Sequence, residues 1–173
     1  ILNSLESSNS DSDLLEIREE LVDAGYMKRK SFKKGKGQKI KKSKPMHYIS
    51  SEGFDIFVGK SNIQNDDLTL HFAGPGDLWL HTKNIPGSHV IIKTEGKCND
   101  INDLPDNTLI EAANLAVLNS KAKDGTLVPV DYTFRRNIKK PNGSKPGMVI
   151  YEQNWSVYIN PDETKAKKLQ IGE

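Results

Sequence analysis

The sequence predicts an α+β fold: a largely antiparallel sheet of hairpins packed with one main helix. A short helix, which could be the last turns of a coiled-coil arm, is expected to precede it. Two observations carry this reading. Short strand-like runs bounded by turn residues recur in pairs from residue 46 onward, as hairpins do. Among them sits a single long helical pattern, at 108–123, which marks helix added to an antiparallel sheet.

The chain divides into four stretches: 1–27, 28–44, 45–161 and 162–173. Residues 1–12 are serine-rich and polar. Ser12-Asp13 can cap a helix whose apolar stripe is Leu14, Ile17, Leu21 and Ala24, with Gly25 as its stop. Residues 28–44 read as a basic flexible loop, since self-repulsion and two glycines oppose regular structure.

The main domain starts near Pro45. His47 to Ser50 and Phe54 to Gly59 read as a hairpin about Ser51-Glu52-Gly53. The polar run from Lys60 to Asp67 offers amides at 62, 64 and 65, for a ligand or for capping. Leu68 to Ala73 fits either a strand or a short helix. Gly74-Pro75-Gly76 is a break. A hairpin of 78–81 and 89–92 follows, and Pro86-Gly87 suits a type II turn between its strands. Alternation would place Leu78 and Leu80 on one face and Trp79 and His81 on the other.

Residues 95–105 read as a loop. Thr108 and Glu111 suit a capping box for the 108–123 helix, whose alanines suggest close packing on a sheet. Val128 to Phe134 reads as a strand, with Pro129 arguing for an edge position or a strand start. Residues 135–147 form a second basic loop. Met148 to Tyr151 and Trp155 to Ile159 are expected as a closing hairpin, and the tail after Pro161 as loose or briefly helical.

The net charge of +2 hides strong segregation. Residues 1–27 carry −6, residues 28–44 carry ten cations and no acid, 45–134 carry −6, and 135–147 carry five cations and no acid. Two concentrated basic stretches point to a polyanion partner. The phosphate-contact candidates are Lys33, Lys34, Lys36, Lys39, Lys41 and Lys42 in the first stretch, and Arg135, Arg136, Lys139, Lys140 and Lys145 in the second. Asp77, Trp79, His81, Lys83, Gly87, Ser88 and His89 are candidates for a recognition face, with the indole as a stacking surface. The competing reading of that face is a core Trp and a satisfied His.

Other chemistry finds little support. No Walker loop, dinucleotide fingerprint, zinc pattern or serine-nucleophile motif appears, so no cofactor or metal is expected and enzymatic activity is not. A hydrolase using Asp77, His81 and His89 is the weakest alternative. The one cysteine, Cys98, reads as a plain thiol in a reducing, cytoplasmic setting. No run of about 18 apolar residues suggests a membrane helix. A start at Ile rather than Met reads as a piece of a longer chain.

The ordered motifs resemble one family. Gly53-Phe54-Asp55-Ile56-Phe57-Val58-Gly59, then NIQNDDLT from Asn62, then Asp77-x-Trp79-Leu80-His81 through Gly87-Ser88-His89-Val90-Ile91-Ile92 resemble the NFACT-R domain. Ala112-Ala113-x-Leu115-Ala116, Ser120-Lys121-Ala122-Lys123, VPVDYT from Val128 and Lys140-Pro141-x-Gly143-x-Lys145-Pro146-Gly147 fit the same family. The resemblance covers roughly 46–161. It is shared with bacterial RqcH proteins, also called fibronectin-binding protein A-like, and with eukaryotic NEMF and Caliban proteins. It implies RNA binding in ribosome-associated quality control. The implied partners are tRNA and a large ribosomal subunit carrying an obstructed peptidyl-tRNA, to support alanine tailing. It also implies an N-terminal NFACT domain and a coiled coil as neighbours in the same chain. The older name suggests fibronectin as an alternative partner.

Overall fold

The computed structural model describes residues 11–26 and 42–172 of the chain. Helix α1 spans Asp11–Asp23, and Gly25 follows it with φ +82°. The predicted first hairpin forms as β1 (Met46–Ile49) and β2 (Asp55–Val58), in antiparallel register from Met46↔Val58 to Ile49↔Asp55. Helix α2 (Asn62–Asp67) starts at Ser61, whose hydroxyl accepts a hydrogen bond from the Gln64 amide. The ambiguous stretch after it continues as a π-helical turn, Leu68–Phe72.

The 78–92 hairpin is β3 (Leu78–Thr82) and β4 (Val90–Lys93), paired Leu78↔Ile92 and Leu80↔Val90. Its turn differs from the expected type II at Pro86-Gly87. The positive φ falls on Asn84, at 54°, and Gly87 instead forms an isolated bridge with Ser120. A Cβ on Gly87 would stand 2.7 Å from the Ser120 Cβ, so glycine is required here by close approach.

Helix α3 is Asp106–Leu118, shifted from the predicted 108–123 at both ends. Thr108 is buried and does not cap. Capping crosses between elements instead. Glu52, in the β1–β2 turn, accepts from the Thr108 amide at 2.8 Å, and Glu111 on the helix accepts from the Ser51 amide at 2.9 Å. At the other end Asn119 donates its side-chain amide to the Leu115 carbonyl, so Lys121 and Lys123 lie beyond the helix.

The remaining strands are β5 (Val128–Phe134), β6 (Ile138–Lys139), β7 (Ile150–Tyr151), β8 (Trp155–Ile159) and β9 (Gln170–Gly172), with helix α4 (Glu163–Lys167) before β9. The closing hairpin is corrected: β7 pairs with β6 and β8 with β5, so the chain crosses between two sheets at 152–154. Pro129 lies near the start of β5, in an interior strand; it stands opposite Tyr158 of β8, and its carbonyl accepts from the Lys83 amide, just past β3, at 2.9 Å. The tail gains an unpredicted strand, β9, against β1.

The main sheet is seven-stranded, in the order β8-β5-β3-β4-β2-β1-β9, with antiparallel pairs throughout. One face, with Ile56, Val58, Leu78, Leu80, Val90 and Ile92, is covered by the Ala112–Val117 side of α3. Small side chains bring the helix close to the sheet, and near-complete burial of these aliphatics supplies the main driving force. The opposite face carries a second apolar cluster of Leu68, Trp79, Ile91 and Ile138, roofed by the π-helical turn and the β6–β7 hairpin. The sheet is therefore covered on both faces around β3. No helix among the described residues is long and apolar enough to cross a membrane.

Candidate nucleic-acid interface

Trp79 occupies the predicted face, but that face is not open. Its side chain is 1% exposed. Its ring lies 5.3 Å from His89, 4.8 Å from Tyr151 and, nearly parallel, 5.8 Å from His81. Roofing by β6–β7 is a long-range event that strand alternation does not reveal. In this arrangement Trp79 offers no surface to a base and holds the second core.

His89 is buried behind it. Nε2 lies 3.0 Å from the Gly147 carbonyl and Nδ1 lies 2.7 Å from the Thr69 hydroxyl. A carbonyl can only accept, so Nε2 carries the proton and Thr69 donates to Nδ1. Burial, reinforced by His81, pushes the His89 pKa down to about 3, so the ring is neutral. His81 stands 5.6 Å from it, ring centre to centre. Burial lowers its pKa as well, against the backbone of Thr82 and Gly87 and the charge of Asp131. It therefore acts as a neutral hydrogen-bonding group. With both His89 nitrogens committed, the pair is not arranged as ligands. Among the described residues no cluster of three or more His, Cys, Asp or Glu could hold a metal ion.

Asp77 is separated from this pair. It lies at the other end of β3, about 13 Å from His81 at ~3.3 Å per residue. It is 5% exposed, accepts from Lys93 at 2.6 Å, and receives the Gly74 and Thr94 amides. Burial raises its pKa, but the Lys93 ammonium and those amides overcome this and hold it below the ordinary range. Asp77 closes the 74–77 turn onto β4.

His81, Gly87 and Ser88 meet in a cleft of about 600 Å³. One wall is the end of α1, with Glu20, Asp23 and Tyr26. The other is the 143–148 loop, with Lys145 at its rim. Asn62 and Asn65 of α2 supply amides, so the candidate capping groups also face the cleft. The loop wall is fixed at Gly147. Its amide donates to Asp66, its carbonyl accepts from His89, and its φ is +83°. A Cβ there would meet the Asn62 Oδ1 at 2.8 Å.

The helix wall is fixed by charge. Asp13 and Lys60, both nearly buried, pair at 3.6 Å, the Ser43 hydroxyl donates to Asp13, and Glu20 accepts from the Ile63 amide at 2.6 Å. Burial raises the Glu20 pKa against that amide.

The other predicted cations are scattered. Lys83 is exposed in the turn after β3, at the Pro86–Ser88 end of the sheet. Lys140 reaches Asp66 at 3.0 Å and the Lys145 carbonyl at 2.6 Å, so it braces the loop. Arg135 donates to the Ile138 carbonyl, and Arg136 lies 4.0 Å over the Phe134 ring, at the far end of β5. Lys139 is exposed on β6. Lys42 pairs with Asp67 at 3.4 Å, and Lys33, Lys34, Lys36, Lys39 and Lys41 lie outside the described residues.

The antiparallel sheet, covered on both faces, thus leaves a polar, amide-lined cleft with Glu20 and Asp23 on one wall and Lys145 on the other. Residues 44–153 match the NFACT protein RNA binding domain, and the chain belongs to that family. It is 46% identical over 164 residues to the Rqc2 homolog RqcH of Bacillus subtilis, covering 95% of this chain and 28% of that protein. It is 41% identical to the Rqc2 homolog RqcH of Streptococcus suis, covering 92% and 27%. A solved structure, the C-terminal part of the fibronectin/fibrinogen-binding protein from Streptococcus suis, superposes with TM-score 0.80 at 40% identity. That match covers 98% of this chain and 66% of that one. The chain thus spans little more than a quarter of the length of these curated relatives.

Proposed function

We propose that this chain is the RNA-contacting, non-catalytic part of a cytoplasmic ribosome-associated quality control factor. In this reading it contacts tRNA and the large ribosomal subunit, and supports alanine tailing of stalled nascent chains. The observation that carries the reading is the cleft, which gathers His81, Gly87, Ser88 and Lys145 in a chain of an RNA-binding family. The names of the relatives supply the quality-control setting.

The chemistry suits a polyanion held at few points. Neutral His81 and the Asn62 amide can give and accept hydrogen bonds without net charge, while the Asn65 Oδ1 is held by the His89 amide at 3.0 Å. Lys145 and the basic stretch 28–44 supply phosphate contacts. Glu20 and Asp23 on the facing wall repel nonspecific backbone, so a shaped RNA is favoured over general coating. If about five phosphates are neutralised, log K falls against log salt with a slope near −3 to −4 for a single strand.

The test is tRNA binding across a salt series by the wild-type chain, a 28–44 deletion and His81→Ala. The reading expects a steep salt slope that flattens in the deletion, and weaker binding in H81A at every salt. Salt-independent binding, or none, would overturn it. The solved neighbour's description favours a second reading, a fibronectin-binding module. Fibronectin binding that persists at high salt, with no RNA binding, would support that one.

A further inference from the structure

A separate hollow lies on the sheet face away from α3. We infer that it takes one unpaired base of a single-stranded RNA, at a surface distinct from the His81 cleft. The inference rests on the RNA-binding reading. His47 and Phe57 are cross-strand partners on β1 and β2, and their rings stack at 4.3 Å with planes 11° apart. Phe72, from the π-helical turn, meets Phe57 edge-on at 4.9 Å. His47 is held in place by Asp55, 2.7 Å from Nε2. Phe72 is 44% exposed, so this aromatic set, unlike Trp79, is open to a ligand.

The hollow encloses about 500 Å³, with Ile63 and Leu68 among its lining. That lies in the roughly 300–1,000 Å³ range of small-ligand pockets.

Charge selects the occupant. The stretch 28–44, with ten cations, enters the described structure at Lys42 and Lys44, in the wall of this hollow. Lys42 pairs with Asp67 through an ion pair whose side chains are 72% and 46% exposed, a contact that a phosphate can replace. Glu16 and Asp67 also line the hollow and oppose a phosphate there, while they can accept hydrogen bonds from base N–H groups. The arrangement therefore places the base on the rings and its phosphates on the lysines. A nonpolar peptide would leave both charge sets unused.

The experiment uses the complete 173-residue chain and a single-stranded oligonucleotide with one 2-aminopurine, beside a fully paired duplex of the same sequence. The proposal expects quenched fluorescence on binding to wild type. His47→Ala/Phe72→Ala should bind the single strand about 5- to 100-fold more weakly with fluorescence restored, and leave duplex affinity unchanged. Phe72→Trp should retain both signals. Phe72→Ala alone, at an exposed ring, covers the case in which the double variant fails to fold. Wild-type affinity and quenching in the folded aromatic variants would overturn the base site and leave RNA binding standing. No RNA binding by wild type would overturn both. Salt-insensitive capture of a Leu-rich peptide, lost in the double variant while RNA affinity is unmoved, would make the hollow a protein site and overturn the proposal.

Discussion

At the residue scale, buried polar side chains organise the functional end of the molecule. His89 is the clearest case, with its pKa lowered from the ordinary 6.5 to about 3. Between those values the unfolded chain binds a proton that the folded chain does not. Stability is therefore full above about pH 6.5 and falls below it, by up to about 1.4 kcal/mol per pH unit from this group. Urea denaturation at pH 7.5 and 5.5 should show the loss, and His89→Gln should remove that part of the pH dependence. Asp77→Ala should cost about 2–4 kcal/mol. That is less than the ~3–5 of a fully buried pair, because the Lys93 side chain is 25% exposed. RNA affinity measured on the folded variant should not change. Gly147→Ala should destabilise by about 1–3 kcal/mol, through its φ of +83° and the contact with Asn62. Thermal melting would read this.

At the element scale, the link between α3 and the β1–β2 turn is a mutual cap. Glu52 serves the helix and Glu111 serves the turn. Glu52→Ala should lower stability by about 1 kcal/mol in chemical denaturation, the usual value of a lost cap. This cap also shows what local pattern cannot supply. Thr108 and Glu111 read as a capping box because their spacing is right, yet Glu52 stands more than fifty residues away and does the capping. Period and turn residues were enough for β1, β2, β3, β4, β5 and the existence of α3. They failed where partners are remote: β7 leaves β8 for β6, and β9 is three residues long and recognisable only beside β1. The site was legible in the same measure. His81, Gly87, Ser88 and Lys145 converge, while Asp77 and Trp79 turn inward because Lys93 and the β6–β7 roof claim them. The stacked His47 and Phe57 carried no motif; only strand register brings them together.

At the scale of the whole molecule, two cationic stretches flank, in sequence, a segment of opposite net charge. Under the proposed RNA-binding reading, affinity and selectivity would fall to different parts: the stretches would raise encounter rates, and the acidic body would reject unsuited anions. Shortening 28–44 should lower the association rate more than it raises the dissociation rate, measured by stopped-flow at low salt.

The pairing of β9 with β1 has a mechanical consequence. His47 stands opposite Gly172, so the first strand of the sheet and the last lie side by side at one edge. Tension applied through those two points would open β9 from β1 one hydrogen bond at a time, as a zipper does, rather than shearing the ladder all at once. The first strand to yield under load would be β9, which takes Ile171 out of the His47 hollow while the His81 cleft and the helix-backed core beyond β1 stay in place.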